Sequence, residues 1–275
     1  MFRKYILLFP LAVLCPALAT VTFPNAGGDL SDFSVFGDKV NEENFLTNNI
    51  KIDKAGTYTA SKDFTIGGLY VNKADANVVI DMTAAATGAD GDRARTINLT
   101  GALATDGLNN FTHIQGGTWN MNGKGVRASQ GFSKNHNKAK LRITGADINN
   151  VGTVAGGYGS TGVEVIIDGA SRINTSNLRP DHDRGTSALL VISNGSVVTT
   201  ASFLGSNGSK LDSSYGYSTK TVVTDEDTSL AVSSSFKFGS SPCAQFFLTK
   251  GAYLNVTASA PWAIKDDAPD LSTNL

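Results

Sequence analysis

A short apolar strand, a tight corner and a second short strand return along the chain at near-constant spacing. This pattern constrains the fold more than any other feature. It reads His113-Ile114-Gln115-Gly116-Gly117-Thr118-Trp119, then Leu141-Arg142-Ile143-Thr144-Gly145-Ala146-Asp147-Ile148, then Val165-Ile166-Ile167-Asp168-Gly169-Ala170-Ser171-Arg172-Ile173. Residues 190–198, 222–230 and 247–254 repeat it, with Asp227 at the corner of the second of these. Corner positions 116, 145, 169, 195, 227 and 251 are 29, 24, 26, 32 and 24 residues apart, a mean of 27. One such unit buries too little apolar surface to stand alone, whereas stacked units share a continuous core. A β-sandwich would give turn signals every ~8–12 residues but no reason for recurrence at the longer period. The expected fold is therefore all-β, a single-stranded parallel β-helix (β-solenoid).

In that fold alternate strand residues face inward, and Val165, Ile167, Ile192, Val222 and Leu248 are the expected inward set. The corners call for φ > 0, which Gly adopts freely and Asn tolerates; Asn149-Asn150, Asn194 and Asn207 suit this role. Strand-like runs also occur at Phe64–Val71, Val78–Asp81 and Ile97–Leu99. Residues 20–50 show no clear period and carry Phe23, Phe33, Phe36 and Phe45. An open first coil would pair with other chains, so residues 20–54 are expected to form an N-terminal cap and 55–275 the β-helix domain.

The first nineteen residues read as a signal peptide. Arg3 and Lys4 form a basic n-region, Tyr5–Leu14 carries no charge, and Ala17-Leu18-Ala19 supplies the small-x-small pattern before Thr20. The apolar run is shorter than the ~20 residues of a membrane-spanning helix, and no later stretch is long enough. A retained anchor and a lipoprotein signal at Cys15 are the rival readings, the latter opposed by bulky Leu14. The expectation is a secreted or cell-surface protein without a transmembrane segment after cleavage. The whole chain has 23 basic and 24 acidic residues; without Arg3 and Lys4 the balance is 21 to 24, a formal charge of −3. Such near-neutrality gives no reason to expect nucleic acid as a partner. Loss of Cys15 leaves Cys243 alone, so packing without disulfides must hold the fold. With 17% charged residues, 29 Gly and abundant Asn, Ser and Thr, the composition suits short strands and tight corners better than helices.

The run Gly116-Gly117-Thr118-Trp119-Asn120-Met121-Asn122-Gly123-Lys124-Gly125, followed by Leu141 to Asn150, resembles successive coils of the right-handed parallel β-helices of the pectin-lyase-like superfamily. Leu190 to Phe203 and Phe247 to Ser259 resemble passenger repeats of bacterial autotransporters. Together these likenesses cover about residues 55–260 and bear on fold far more than on chemistry. The chain departs from the autotransporter pattern in ending Asp270-Leu271-Ser272-Thr273-Asn274-Leu275 with no barrel strands, as expected of a short secreted relative or a piece of a longer protein.

The resemblance implies one candidate activity. Superfamily enzymes cleave acidic polysaccharides, by hydrolysis between paired carboxylates or by Ca²⁺-assisted β-elimination with a basic proton acceptor. The segment Arg179-Pro180-Asp181-His182-Asp183-Arg184 is the densest polar constellation and is expected on a projecting loop. There Asp181, His182, Asp183 and Arg184 would carry the catalysis of an extracellular lyase or hydrolase, with Ca²⁺ as an optional cofactor. The superfamily's hydrolase and lyase signatures do not occur, and a solvated loop explains the same residues. The favoured expectation is a β-helix that acts without catalysis or cofactor as an adhesin, spacer or binding surface for polysaccharide, surface glycans or matrix.

Weaker features complete the reading. Asp90-Gly91-Asp92-Arg93 is a polar turn with too few ligands for a calcium loop, and His113 and His136 lack metal-ligand spacing. Trp119, Tyr158, Tyr215 and Tyr217 suit either a sugar-stacking platform or half-buried packing. Glycosylation-type sequons at Asn98, Asn110, Asn174, Asn194, Asn207 and Asn255 are expected by chance in such a composition.

Overall fold

The computed structural model of the chain describes residues 19–40, 42–83, 94–129, 138–158, 162–183, 188–206, 219–238 and 244–257. The expected leader through residue 18, the turn at 90–93, His136, Arg184, Asn207, Tyr215, Tyr217 and Cys243 lie outside them. Among the described residues no helix is long and apolar enough to cross a membrane.

Short strands wind into coils, and each strand pairs in parallel with its counterparts in the coils before and after. The fold is a parallel β-helix. One sheet of nine strands runs unbroken from Gly28–Asp29 to Gln245–Thr249 and forms what we call the continuous face. A 13-stranded sheet supplies the other two faces. In the early coils these are separate: Phe64–Ile66, Thr96–Leu99 and Thr118–Asn120 line the second face. Thr20–Thr22, Asn49–Ile52, Leu69–Asn72, Leu103–Asp106 and Val126–Arg127 line the third. They fuse at Asp147–Tyr158, which pairs with both ladders, and Arg172–Asp183, Val197–Leu204 and Ser229–Lys237 continue the joined form.

Register sets the coil length. Gly28, Tyr58, Ile80, Ile114, Ile143, Ile167, Ile192, Val223 and Leu248 are successive partners on the continuous face. The steps between them are 30, 22, 34, 29, 24, 25, 31 and 25 residues, bracketing the expected 27. Phe64, Ile97, Trp119, Ile148, Ile173, Val198, Leu230 and Leu254 stack in the same way on the second face. Val21, Ile50, Leu69, Leu103, Val126, Val154, Leu178, Phe203 and Phe236 do so on the third. The three columns meet in one apolar core. Each buried aliphatic or aromatic side chain contributes roughly 2 kcal/mol relative to exposure, and β-branched Ile and Val fit the pleat with little loss of rotamer freedom.

The corners behave as the spacing predicts. Gly116, Gly145, Gly169, Gly195, Asp227 and Gly251 all have φ between 61° and 80°. Asn194 adopts the left-handed region beside Gly195, and Asn150 does so within Asp147–Tyr158, where the second and third faces join. One inward assignment needs correction. Val222 faces outward and Val223 takes the core position, in register with Ile192. The cause is the longer Asp225–Asp227 corner, where Asp225 and Asp227 are both left-handed and shift the alternation by one residue. Leu248 holds its place in the column but is 46% exposed, its strand being the last of the continuous face among the described residues. Trp119 is no stacking platform: it is fully buried, and its indole Nε1 donates to the Gly116 carbonyl at 3.0 Å.

Residues 20–54 contain both sheet strands and the chain's short helical turns. Thr20–Thr22 and Gly28–Asp29 are the outermost strands of their ladders. Helical turns at Phe33–Lys39 and Glu42–Phe45 then stand where every later coil has a second-face strand. Phe36 packs edge-on against Phe23, whose ring also meets Tyr58, and Phe45 touches both Phe33 and Phe36. The aromatic residues without period are thus one cluster at the first coil.

Candidate functional site

Residues 179–183 of the polar segment are not a projecting loop. Arg172–Asp183 is a continuous strand that stays paired with the coil before to its end, Gly157 opposite Asp181 and, after a register shift of one residue, Tyr158 opposite Asp183. Like the neighbouring strand Asp147–Tyr158, it is one extended run that serves two faces. Asp181 is fully buried. Its Oδ2 accepts the hydroxyl protons of Ser206 at 2.9 Å and Thr219 at 3.0 Å, the two residues that flank the connection between consecutive coils. It therefore ties the stems of that connection together. His182 and Asp183 are placed by backbone alone, and Arg184 lies beyond the described residues. Among the described residues no group of three or more His, Cys, Asp and Glu side chains gathers to hold a cation.

A different set of side chains converges on the outer surface of the continuous face. Val79, His113, Arg142, Ile166, Val191, Val222 and Phe247 occupy one outward column across seven successive strands. At a strand spacing of about 4.8 Å this row is roughly 29 Å long. Past Val79 the row is polar at His113 and Arg142 and apolar from Ile166 to Phe247. Phe247 is 42% exposed, and Ile166, Val191 and Val222 are half-buried.

The polar part is a chain of hydrogen bonds with a fixed direction. Arg142 directs Nε and Nη2 to Asp168 Oδ2 at 3.0 and 2.5 Å, a charge-assisted pair. Asp168 Oδ1 accepts the Thr144 hydroxyl at 2.6 Å. A hydroxyl has one proton to give, so the 2.9 Å contact between Thr144 Oγ1 and His113 Nε2 must be the imidazole N–H donating. The ring's lone pair is then on Nδ1. Burial pushes the His113 pKa below 6.5, the Arg142 charge pushes the same way, and Asp168 and Asp81 oppose both. One position along the strands, Lys140 pairs with Glu164 at 2.9 Å. The face thus presents a neutral imidazole beside ion pairs that are already made.

That lowered pKa has a consequence for stability. The unfolded state binds the His113 proton more readily than the folded state, so the neutral ring's contribution is complete above pH 6.5 and is lost as pH falls below it. Thermal unfolding of the wild type should therefore lose stability through that window relative to His113→Gln. Parallel pH profiles of the two proteins would contradict the assignment. Asp29 acts in a separate window. Burial raises its pKa, but hydrogen bonds from Ser31 and Ser61 outweigh that and bring it below 3.8, so its contribution goes only as pH falls below 3.8.

The sequence carried a signal for this site. Aligned on corners Gly116, Gly145 and Gly169, His113, Arg142 and Ile166 each lie three residues before the glycine, and Gln115, Thr144 and Asp168 one before. Of the sequon residues, Asn110 is fully buried and donates to the Lys73 carbonyl at 2.8 Å, a structural role. Asn98 and Asn120 join Thr65 in an outward amide ladder on the second face.

Comparison of the chain with protein-family models, curated proteins and solved structures finds no match.

Proposed function

We propose that this chain is a secreted or cell-surface β-helix that works without catalysis, as an adhesin or spacer that holds glycans on the outer surface of its continuous face. The observation that carries the reading is the single outward row in which His113 and Arg142 pass into Ile166, Val191, Val222 and Phe247. Sugar rings have the matching character: apolar C–H faces to lie on aliphatic and aromatic side chains, and a rim of hydroxyls for polar neighbours. The basic n-region, uncharged run and Ala17–Ala19 pattern support export. The Phe-rich helical turns at 33–45 fit a capping role, since they replace a sheet edge with side-chain packing.

The test is retention of the purified protein on immobilised polysaccharides, with Val191→Glu as the comparison. Val191 is outward, so the charge spoils the row while leaving the core intact, and binding should fall by about tenfold or more. Release of reducing or unsaturated ends from any of the polymers would overturn the non-catalytic reading. Undiminished retention of Val191→Glu would overturn the assignment of the face.

A further inference from the structure

We infer that this face selects uncharged, hydroxyl-rich polysaccharides over acidic ones, an inference that rests on the glycan-binding reading above. An acidic polymer needs cations with N–H groups to spend on its carboxylates. Here each central cation already has an internal counter-charge: Arg142 gives Nε and Nη2 to Asp168, and Lys140 pairs with Glu164. An incoming carboxylate would meet cations whose charge is already balanced, and it would sit beside the like charges of Asp168, Glu164 and Asp81. Lys220 lies on the same surface one strand beyond Leu189, opposite the apolar end of the row.

His113 points the same way. Its Nε2 proton is committed to Thr144, so the ring offers Nδ1 as an acceptor. An acceptor is complementary to a sugar hydroxyl, which has a proton to donate, and repels an ionised carboxylate, which has none. The apolar end adds a second discrimination. A carboxylate laid on Ile166 and Val191 would lose hydration against aliphatic side chains, whereas a neutral pyranose loses little.

The experiment compares the full chain on uncharged polymers (a β-glucan, a mannan, a galactan) and acidic ones (polygalacturonate, alginate), each at low and high salt. The expected result is retention on at least one uncharged polymer, unchanged by salt, and about tenfold weaker in His113→Phe, which keeps the ring but removes the acceptor. Circular dichroism of His113→Phe establishes that it is folded, and Val191→Glu gives an independent loss from the other end of the row. Salt-sensitive retention on the acidic polymers alone overturns the selectivity while leaving the glycan-binding reading in place. Retention on neither class overturns both.

Discussion

Gly156→Ala should prevent the coils from stacking. Gly156 lies in the strand Asp147–Tyr158 opposite Pro180 of the next coil, between the pairs Ala155–Arg179 and Gly157–Asp181. A Cβ at position 156 would fall inside the Pro180 carbonyl oxygen, a backbone atom with no freedom to swing away. Relief requires the two strands to part, and with them the core column in which Val154 meets Leu178. Overpacking of this kind costs at least about 3 kcal/mol. Gly195→Ala supplies the control. Its φ is +73°, but an added Cβ there meets nothing within 4 Å, so only the left-handed conformation is penalised, at about 1 kcal/mol. Urea unfolding of both variants makes the comparison. Equal midpoints would show that the close approach of the coils at Gly156 has no energetic weight.

Asp181→Ala should be the second most damaging of these changes, through loss of a buried acceptor. The Ser206 and Thr219 hydroxyls both donate to Oδ2, so truncation removes an acceptor that two buried hydroxyls share. The expected cost is about 3 kcal/mol. Asp181→Asn keeps an oxygen in place and should recover part of the loss. The damage should be local to the adjoining coils, because in a stack each coil contacts only its neighbours. Hydrogen exchange should accordingly quicken in Val197–Leu204 and Lys220–Thr224 before Phe111–Gln115 responds. Unchanged exchange in the first two strands would remove Asp181 from this tying role.

The parts of the fold that depend on local alternation and on corner chemistry were legible in the sequence. Ile143, Ile167 and Ile192 stack as their distance from a corner residue requires, and each corner is left-handed. Errors arose where local rules change by one residue. The Asp225–Asp227 corner is one step longer than its glycine counterparts, so Val222 and Val223 exchange sides. The polar density around Asp181 pointed to a loop because sequence reading counts charges without knowing that a strand can run on through two faces. The outward cluster was overlooked for the opposite reason. His113, Arg142, Thr144 and Asp168 are dispersed over three coils, and only register brings them within hydrogen-bond reach.

The direction of the ladders bears on how the molecule carries load. Hydrogen bonds between coils lie along the long axis, so tension applied between the first and last coils opens them one row at a time rather than shearing a whole sheet at once. Each coil that peels away frees the 22 to 34 residues set by the register, up to about 3.4 Å of slack per residue. Pulled from one end, the chain would lengthen in a series of small yields, and a tether built this way absorbs a tug by paying out length while its remaining coils stay folded.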